Sequence, residues 1–234
     1  AGKLFERRLK TKDKITAASA RLSADPTGVE IAKADIIIEA VAERLSVKQS
    51  VFSAVEAKAK PDAILATNTS SILIEDIASA LQSPERLIGL HFFNPVPVLP
   101  LVEVITGTSS DPTFISRAMQ FSGQLKKMPV KVKSAKGFLV NRALLPYLFA
   151  SIDAMIAGET PDKLDQALTR FGMPMGPIEL CDQIGLDVCL DVGHVLGVPD
   201  RVAARFEALI SAGKKGRKTQ AGFYQWDGKK AVRE

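Results

Sequence analysis

A chain of 234 residues, 46% hydrophobic and 24% charged, can bury a real core and falls in the range of one or two domains. Its longest apolar runs, ADIIIEAVA and GFLVNRALLPYLFA, carry charges and fall short of the ~20 residues of a membrane span. The polar, basic start AGKLFERRLKTKDK has no apolar h-region, so a secretory signal is not expected and a cytoplasmic or organelle-matrix setting follows by default.

The 31 Lys+Arg against 26 Asp+Glu leave a formal charge of +5, concentrated in KLFERRLKTKDK, KKMPVKVKSAK and KKGRK. No exposed aromatics interleave with these clusters, which reads against a nucleic-acid interface and leaves a solvated basic surface or a seat for an anionic small ligand. Cys181 and Cys189 are the only cysteines and form no CxxC, so they read as buried small hydrophobes.

Residues 3 to 23 lack Gly and Pro and read as one or two surface helices. ADIIIEAV is a β-branched run of the kind buried in parallel sheets. SVKQSVFSAVEAKAK follows as an amphipathic helix with Ser46 as its N-cap, then AILATNTS as a second short strand. A helix over about 74 to 82, the strands RLIGLH and LVEVITG, a helix opened by Asp111 and Pro112, and the strand MPVKVK complete an alternation that argues an α/β fold with a mostly parallel sheet. Beyond SAKG the spacing becomes helical, so the domains expected are 1–133, α/β, and 134–234, all-α.

The segment HFFNPVPVLPLVEV carries one of the chain's two histidines and, twelve residues on, a glutamate in an apolar run. Nine residues between strand ends are too few for a crossover helix, so neighbouring strands here must be antiparallel, which brings Glu103 beside His91. Pro95, Pro97 and Pro100 stiffen the connection. A partly buried carboxylate needs a partner, and imidazole is the obvious one; the pair fixes a tautomer and makes the other ring nitrogen a general base. The same residues could satisfy each other as core and do no chemistry. Asn68 and Ser70 in TNTSS reach the same sheet edge, although a helix-capping turn explains them too. Asn141, in GFLVNR, opens the first helix of the second domain, beside the cleft where ligands are expected. His194 has no carboxylate at metal-ligand spacing and reads as structural.

NTSS, HFFNPVPV, LVEV, GFLVNR, MPMGPIEL and GRKTQAGFY, in this order and spacing, resemble the 3-hydroxyacyl-CoA dehydrogenase family, most of all the dehydrogenase part of bacterial fatty-acid oxidation complex alpha subunits. The resemblance implies a Rossmann-type NAD-binding sheet followed by a helical domain, and NAD-dependent oxidation of L-3-hydroxyacyl-CoA to 3-ketoacyl-CoA in fatty-acid β-oxidation. It implies His91 as the base, Glu103 orienting it, Ser70 at the reacting oxygen and Asn141 closing the site. For NAD it implies Glu43, Lys48, Asn68 and Asn94. It further implies an acyl-CoA thioester partner, no nucleic acid, no metal, and a homodimer or a place in a larger fatty-acid oxidation complex.

The sequence departs from the family at one point: it contains no GxGxxG with an acidic residue about 20 positions on. The expectation is therefore a partial Rossmann sheet, its first βαβ unit missing, with a long exposed edge. Two other readings follow: an incomplete fragment that binds acyl-CoA or serves assembly, and a related dehydrogenase of small 3-hydroxy acids.

Overall fold

The structure is a computed structural model that describes residues 1–232. Two short helices, α1 (Gly2–Arg8) and α2 (Lys12–Ser19), pack on each other at the start of the chain. An α/β region follows: β1 (Ile36–Glu39), α3 (Leu45–Glu56), β2 (Ile64–Thr67), α4 (Ile74–Ala78), β3 (Leu87–Phe92), β4 (Leu101–Thr106), α5 (Pro112–Gln124) and β5 (Met128–Lys133). The helical domain comprises α6 (Val140–Ile156), α7 (Pro161–Phe171), α8 (Pro177–Ile184), α9 (Leu186–Leu196) and α10 (Asp200–Ser211), closed by β6 (Gln225–Asp227) and β7 (Lys230–Val232).

The five strands β1 to β5 lie in sequence order in one sheet. β1, β2 and β3 run parallel, β3 and β4 antiparallel, and β4 and β5 parallel. The reversal falls where the proline-rich connection is too short to cross over, as the sequence requires. Both faces are covered, which is why β2 and most of β3 are buried at every position. Phe52, Leu65, Ile77 and Leu87 pack on one face, and Ile64, Ile88, Val104 and Ala118 on the other. Full burial of each larger apolar side chain contributes about 1.5–3 kcal/mol. β1 sits at the sheet edge with only four residues, so that edge is short rather than long.

Two local expectations need correction. α3 starts at Leu45, so Ser46 lies inside the helix; Arg44 occupies the N-cap position and makes no side-chain cap. α4 ends at Ala78, four residues early, because Glu56 of α3 accepts the backbone N–H groups of Gln82 and Ser83 and draws that segment away from helical pairing. Asp111 does cap α5, accepting from Thr113 N at 2.7 Å.

The helical domain is not all-α. β6 and β7 pair as a hairpin whose two-residue turn is Gly228 and Lys229, with Gly228 left-handed (φ 59°). The hairpin is held by Asp182, whose carboxylate accepts the backbone N–H groups of Phe223 and Tyr224 and the Trp226 indole N–H, each at 2.9 Å. Burial pushes the Asp182 carboxyl up, against the opposing pull of those three donors. Asp165 plays the matching part at α8, accepting from Ile178 N at 2.8 Å, Glu179 N at 3.1 Å and the Tyr224 hydroxyl at 2.8 Å. Trp226 and Tyr224 thereby close a core of Leu148, Ile152, Ile178 and Phe206, in which Cys181 and Cys189 are buried as free thiols.

Candidate active site

His91 and Glu103 are directly opposed in the β3–β4 ladder. The imidazole Nδ1 lies 2.7 Å from Glu103 Oε2. Because a carboxylate only accepts, Nδ1 carries the proton and Nε2 is the ring nitrogen left for chemistry. Glu103 is 1% exposed and His91 7%, so the pair is desolvated and its bond correspondingly strong. The second carboxylate oxygen is satisfied as well: Oε1 accepts the backbone N–H groups of Leu139 and Val140, each at 2.9 Å. These amides open α6, so one carboxylate joins the base to the start of the helical domain, and the helix N-terminus adds favourable potential.

The turn that delivers those amides is left-handed at two successive residues, Gly137 (φ 71°) and Phe138 (φ 51°). Glycine adopts this conformation freely; a phenylalanine there costs about 1–3 kcal/mol and must be held by its surroundings. Phe138 is 2% exposed, and its ring centroid lies 5.8 Å from that of His91 at 59°. Phe93 lies closer, at 4.5 Å and 55°.

The carboxyl ends of β1 and β2 supply the polar wall. Asn68 Oδ1 accepts from Phe92 N at 3.0 Å, which fixes the amide beside the histidine strand and leaves its NH2 free to donate. Glu43 Oε1 accepts the Thr69 hydroxyl, Ser70 N at 2.9 Å and Ser71 N at 3.2 Å. Partial burial works to raise the Glu43 carboxyl, but the Thr69 and Ser70 hydrogen bonds and the Lys48 charge outweigh it and hold the group below its ordinary value. Lys48 is 1% exposed, its ammonium 2.8 Å from Glu39 and 3.1 Å from Glu43. Its charge is spent inside this cluster, so Lys48 bears on a ligand through Glu43. Glu39 went unassigned in the sequence, where the only signal was an acid inside ADIIIEAV. It also accepts from Val41 N at 2.6 Å and the Thr67 hydroxyl at 2.7 Å.

His91 with Glu103, Asn68 on Phe92 N, and Glu43 with Ser70 and Lys48 thus form three separate hydrogen-bonded groups at one end of the sheet, and half-buried Asn141 follows directly on the amide that Glu103 holds. Asn94 lies exposed on the connection, at a cis peptide bond to Pro95. Beyond it, Pro97 meets α1 and α2 across a groove of about 580 Å³, lined by Leu4 and Phe5 and by the cations Arg8, Lys14 and Arg21. Among the described residues no cluster of three or more His, Cys, Asp or Glu could hold a metal ion, and no helix is long and apolar enough to cross a membrane.

Comparison with known proteins finds two family models. The one described as 3-hydroxyacyl-CoA dehydrogenase, NAD binding domain, matches residues 1–135, and the one described as 3-hydroxyacyl-CoA dehydrogenase, C-terminal domain, matches residues 137–226. The fatty acid oxidation complex subunit alpha of Vibrio vulnificus is 40% identical over 236 residues, covering 97% of this chain and 34% of that protein. The subunit of the same name from Pseudomonas putida is 40% identical over 204 residues, 85% of this chain and 28% of that one. The chain therefore spans about a third of the length of these relatives. Among solved structures, a 3-hydroxybutyryl-CoA dehydrogenase from Escherichia coli superposes with a TM-score of 0.88 at 35% identity, covering 100% of this chain and 51% of that one. An (S)-3-hydroxybutyryl-CoA dehydrogenase from Ralstonia eutropha gives 0.87 at 33%, covering 96% and 82%.

Proposed function

The chain belongs to the 3-hydroxyacyl-CoA dehydrogenase family, and from that premise we propose that it oxidises the 3-hydroxyl of an L-3-hydroxyacyl-CoA to the 3-ketone with NAD, as a step of fatty-acid β-oxidation. The observation that carries this reading is the buried His91–Glu103 pair, a base whose tautomer is fixed at the end of a sheet strand.

The donor set fits the nicotinamide end of the cofactor. Glu43 offers a half-exposed carboxylate suited to ribose hydroxyls, and Asn68 keeps an amide NH2 free to donate. Asn94 stands on the same rim. NAD, when bound, supplies the acceptor for the hydride that leaves C3. His91 Nε2 takes the proton of the 3-hydroxyl, and Glu103 offsets the positive charge that then develops on the imidazole. Ser70 and Asn141 hold the reacting oxygen, which orients the C3–H bond. The basic groove at Arg8, Lys14 and Arg21 supports a phosphate-bearing thioester over a free acid, because it lies on the connection that follows His91. The relatives named as complex subunits support a place for the chain in such an assembly.

The test is NADH oxidation with acetoacetyl-CoA, with acetoacetate as control. The thioester is expected to turn over and the free acid to react poorly, and His91→Ala to lower turnover by roughly 10²–10⁴. A loss below about tenfold would remove His91 from the role of base, and preference for the free acid would displace the substrate class.

A further inference from the structure

We propose that Phe138 is a positioning residue for His91, its ring holding the imidazole in the single orientation that proton abstraction needs. The inference rests on the reading of His91 as the base.

One hydrogen bond to Glu103 fixes where Nδ1 lies but leaves the imidazole free to rock about that contact. Rings packed at 4.5 Å and 5.8 Å from the imidazole centroid remove that freedom, Phe93 from the strand end and Phe138 from the other domain. Glu103 is the charged group facing His91; uncharged Asn68 holds the neighbouring Phe92 N–H, and the amides of Leu139 and Val140 contact Glu103 rather than the ring.

The backbone at residue 138 is left-handed, where glycine or asparagine is the undemanding choice and an aromatic side chain is costly. A turn alone has no use for phenylalanine at that place, whereas a ring facing the imidazole does. The side chain is also built into the wrong half of the molecule for its position in the chain. It opens the helical domain yet packs in the sheet core with Phe52, Ile74 and Leu87.

From the opposite side the same turn is pressed by α9: a Cβ on Gly137 would lie 2.8 Å from Leu196 Cδ1. The turn is therefore clamped between both domains. Its ring sets one face of the base, and its two following amides set the carboxylate that orients the base.

The decisive measurement is the mobility of the His91 ring, read from ¹³C relaxation of its Cδ2–H and Cε1–H groups in the full chain at a pH where the ring is neutral. There are two histidines, and His194, exposed on α9, is removed by His194→Gln to assign His91. The wild-type ring is expected to be as rigid as the backbone, with an order parameter of roughly 0.85. Phe138→Leu keeps apolar bulk but loses the aromatic ring, and is expected to drop that order parameter below about 0.6 while Nδ1 keeps its proton and its bond to Glu103, with kcat on acetoacetyl-CoA lowered about tenfold or more and KM within about threefold. Phe138→Tyr restores the ring and with it the rigidity. If Phe138→Leu is unfolded by circular dichroism, Phe138→Met is read in its place. A variant with the wild-type ring order overturns the proposal whatever its turnover. Loss of ring order upholds it even if neither chain oxidises NADH, an outcome that would sink only the dehydrogenase reading.

Discussion

Glu103 bonds His91 through one oxygen and the first amides of α6 through the other, so the orientation of the base and the docking of the helical domain share a single buried carboxylate. A buried acceptor with three donors is expensive to alter, since each donor left without a partner costs about 1–3 kcal/mol. Glu103→Gln keeps the shape but supplies one carbonyl oxygen where two carboxylate oxygens stood. It is expected to lower kcat by about 10² or more, because no charge offsets the developing imidazolium, and to lower the unfolding free energy by about 1–3 kcal/mol. Steady-state kinetics and urea titration on one preparation would check both, and a variant altered in neither would show that the carboxylate is dispensable.

The Glu39–Lys48–Glu43 cluster predicts a sign reversal between single and double variants. Lys48 and Glu39 are each 1% exposed. Lys48→Met leaves a buried carboxylate uncompensated and is expected to cost about 3–5 kcal/mol. Adding Glu39→Gln removes that charge and should recover a good part of the loss, since the partner and not the apolar replacement causes the damage. Denaturant unfolding of the two single variants and the double one measures the coupling; simple additivity would contradict it.

Two glycines test how local space decides the same substitution. A Cβ on Gly176 would sit 2.2 Å from Asp165 Cγ, whose carboxylate is fully committed at the start of α8. Gly176→Ala is expected to destabilise by at least about 1–3 kcal/mol, the usual range for overpacking. Gly123 lies inside α5 with nothing within 4 Å, so Gly123→Ala is expected to stabilise by roughly 0.5–1 kcal/mol. Thermal melts should move in opposite directions.

Acid stability should depend on Glu43. Its folded value is depressed below its unfolded one, so its contribution is present above about pH 4.3, the unfolded value, and is lost as pH falls through the depressed folded value. Glu43→Gln lacks that titration and should show a shallower decline of unfolding free energy with falling pH. Urea midpoints from pH 6 downward would reveal it; parallel curves for the two chains would mean that the carboxylate is not perturbed.

The sequence by itself determined the elements and their alternation, because period-2 and period-3.6 patterns are local and survive without tertiary help. It also determined that His91 and Glu103 meet if their strands are neighbours, since so short a connection allows such a pair to run only in opposite directions. The end of α4 and the β6–β7 hairpin escaped because competing partners decide them: Glu56 takes the amides that would extend the helix, and Asp182 gathers the hairpin. Only the tertiary structure revealed what surrounds the pair. Glu103 reaches 36 and 37 residues along the chain to the amides of α6, and Phe138 lies in a left-handed turn that no propensity favours. Glu39 shows the same division: the strand around it is legible as apolar residues in a row, but which cation neutralises the acid depends on how α3 folds back over the sheet. Local patterns fix which groups are near one another in the chain, whereas burial decides which of them must be satisfied together.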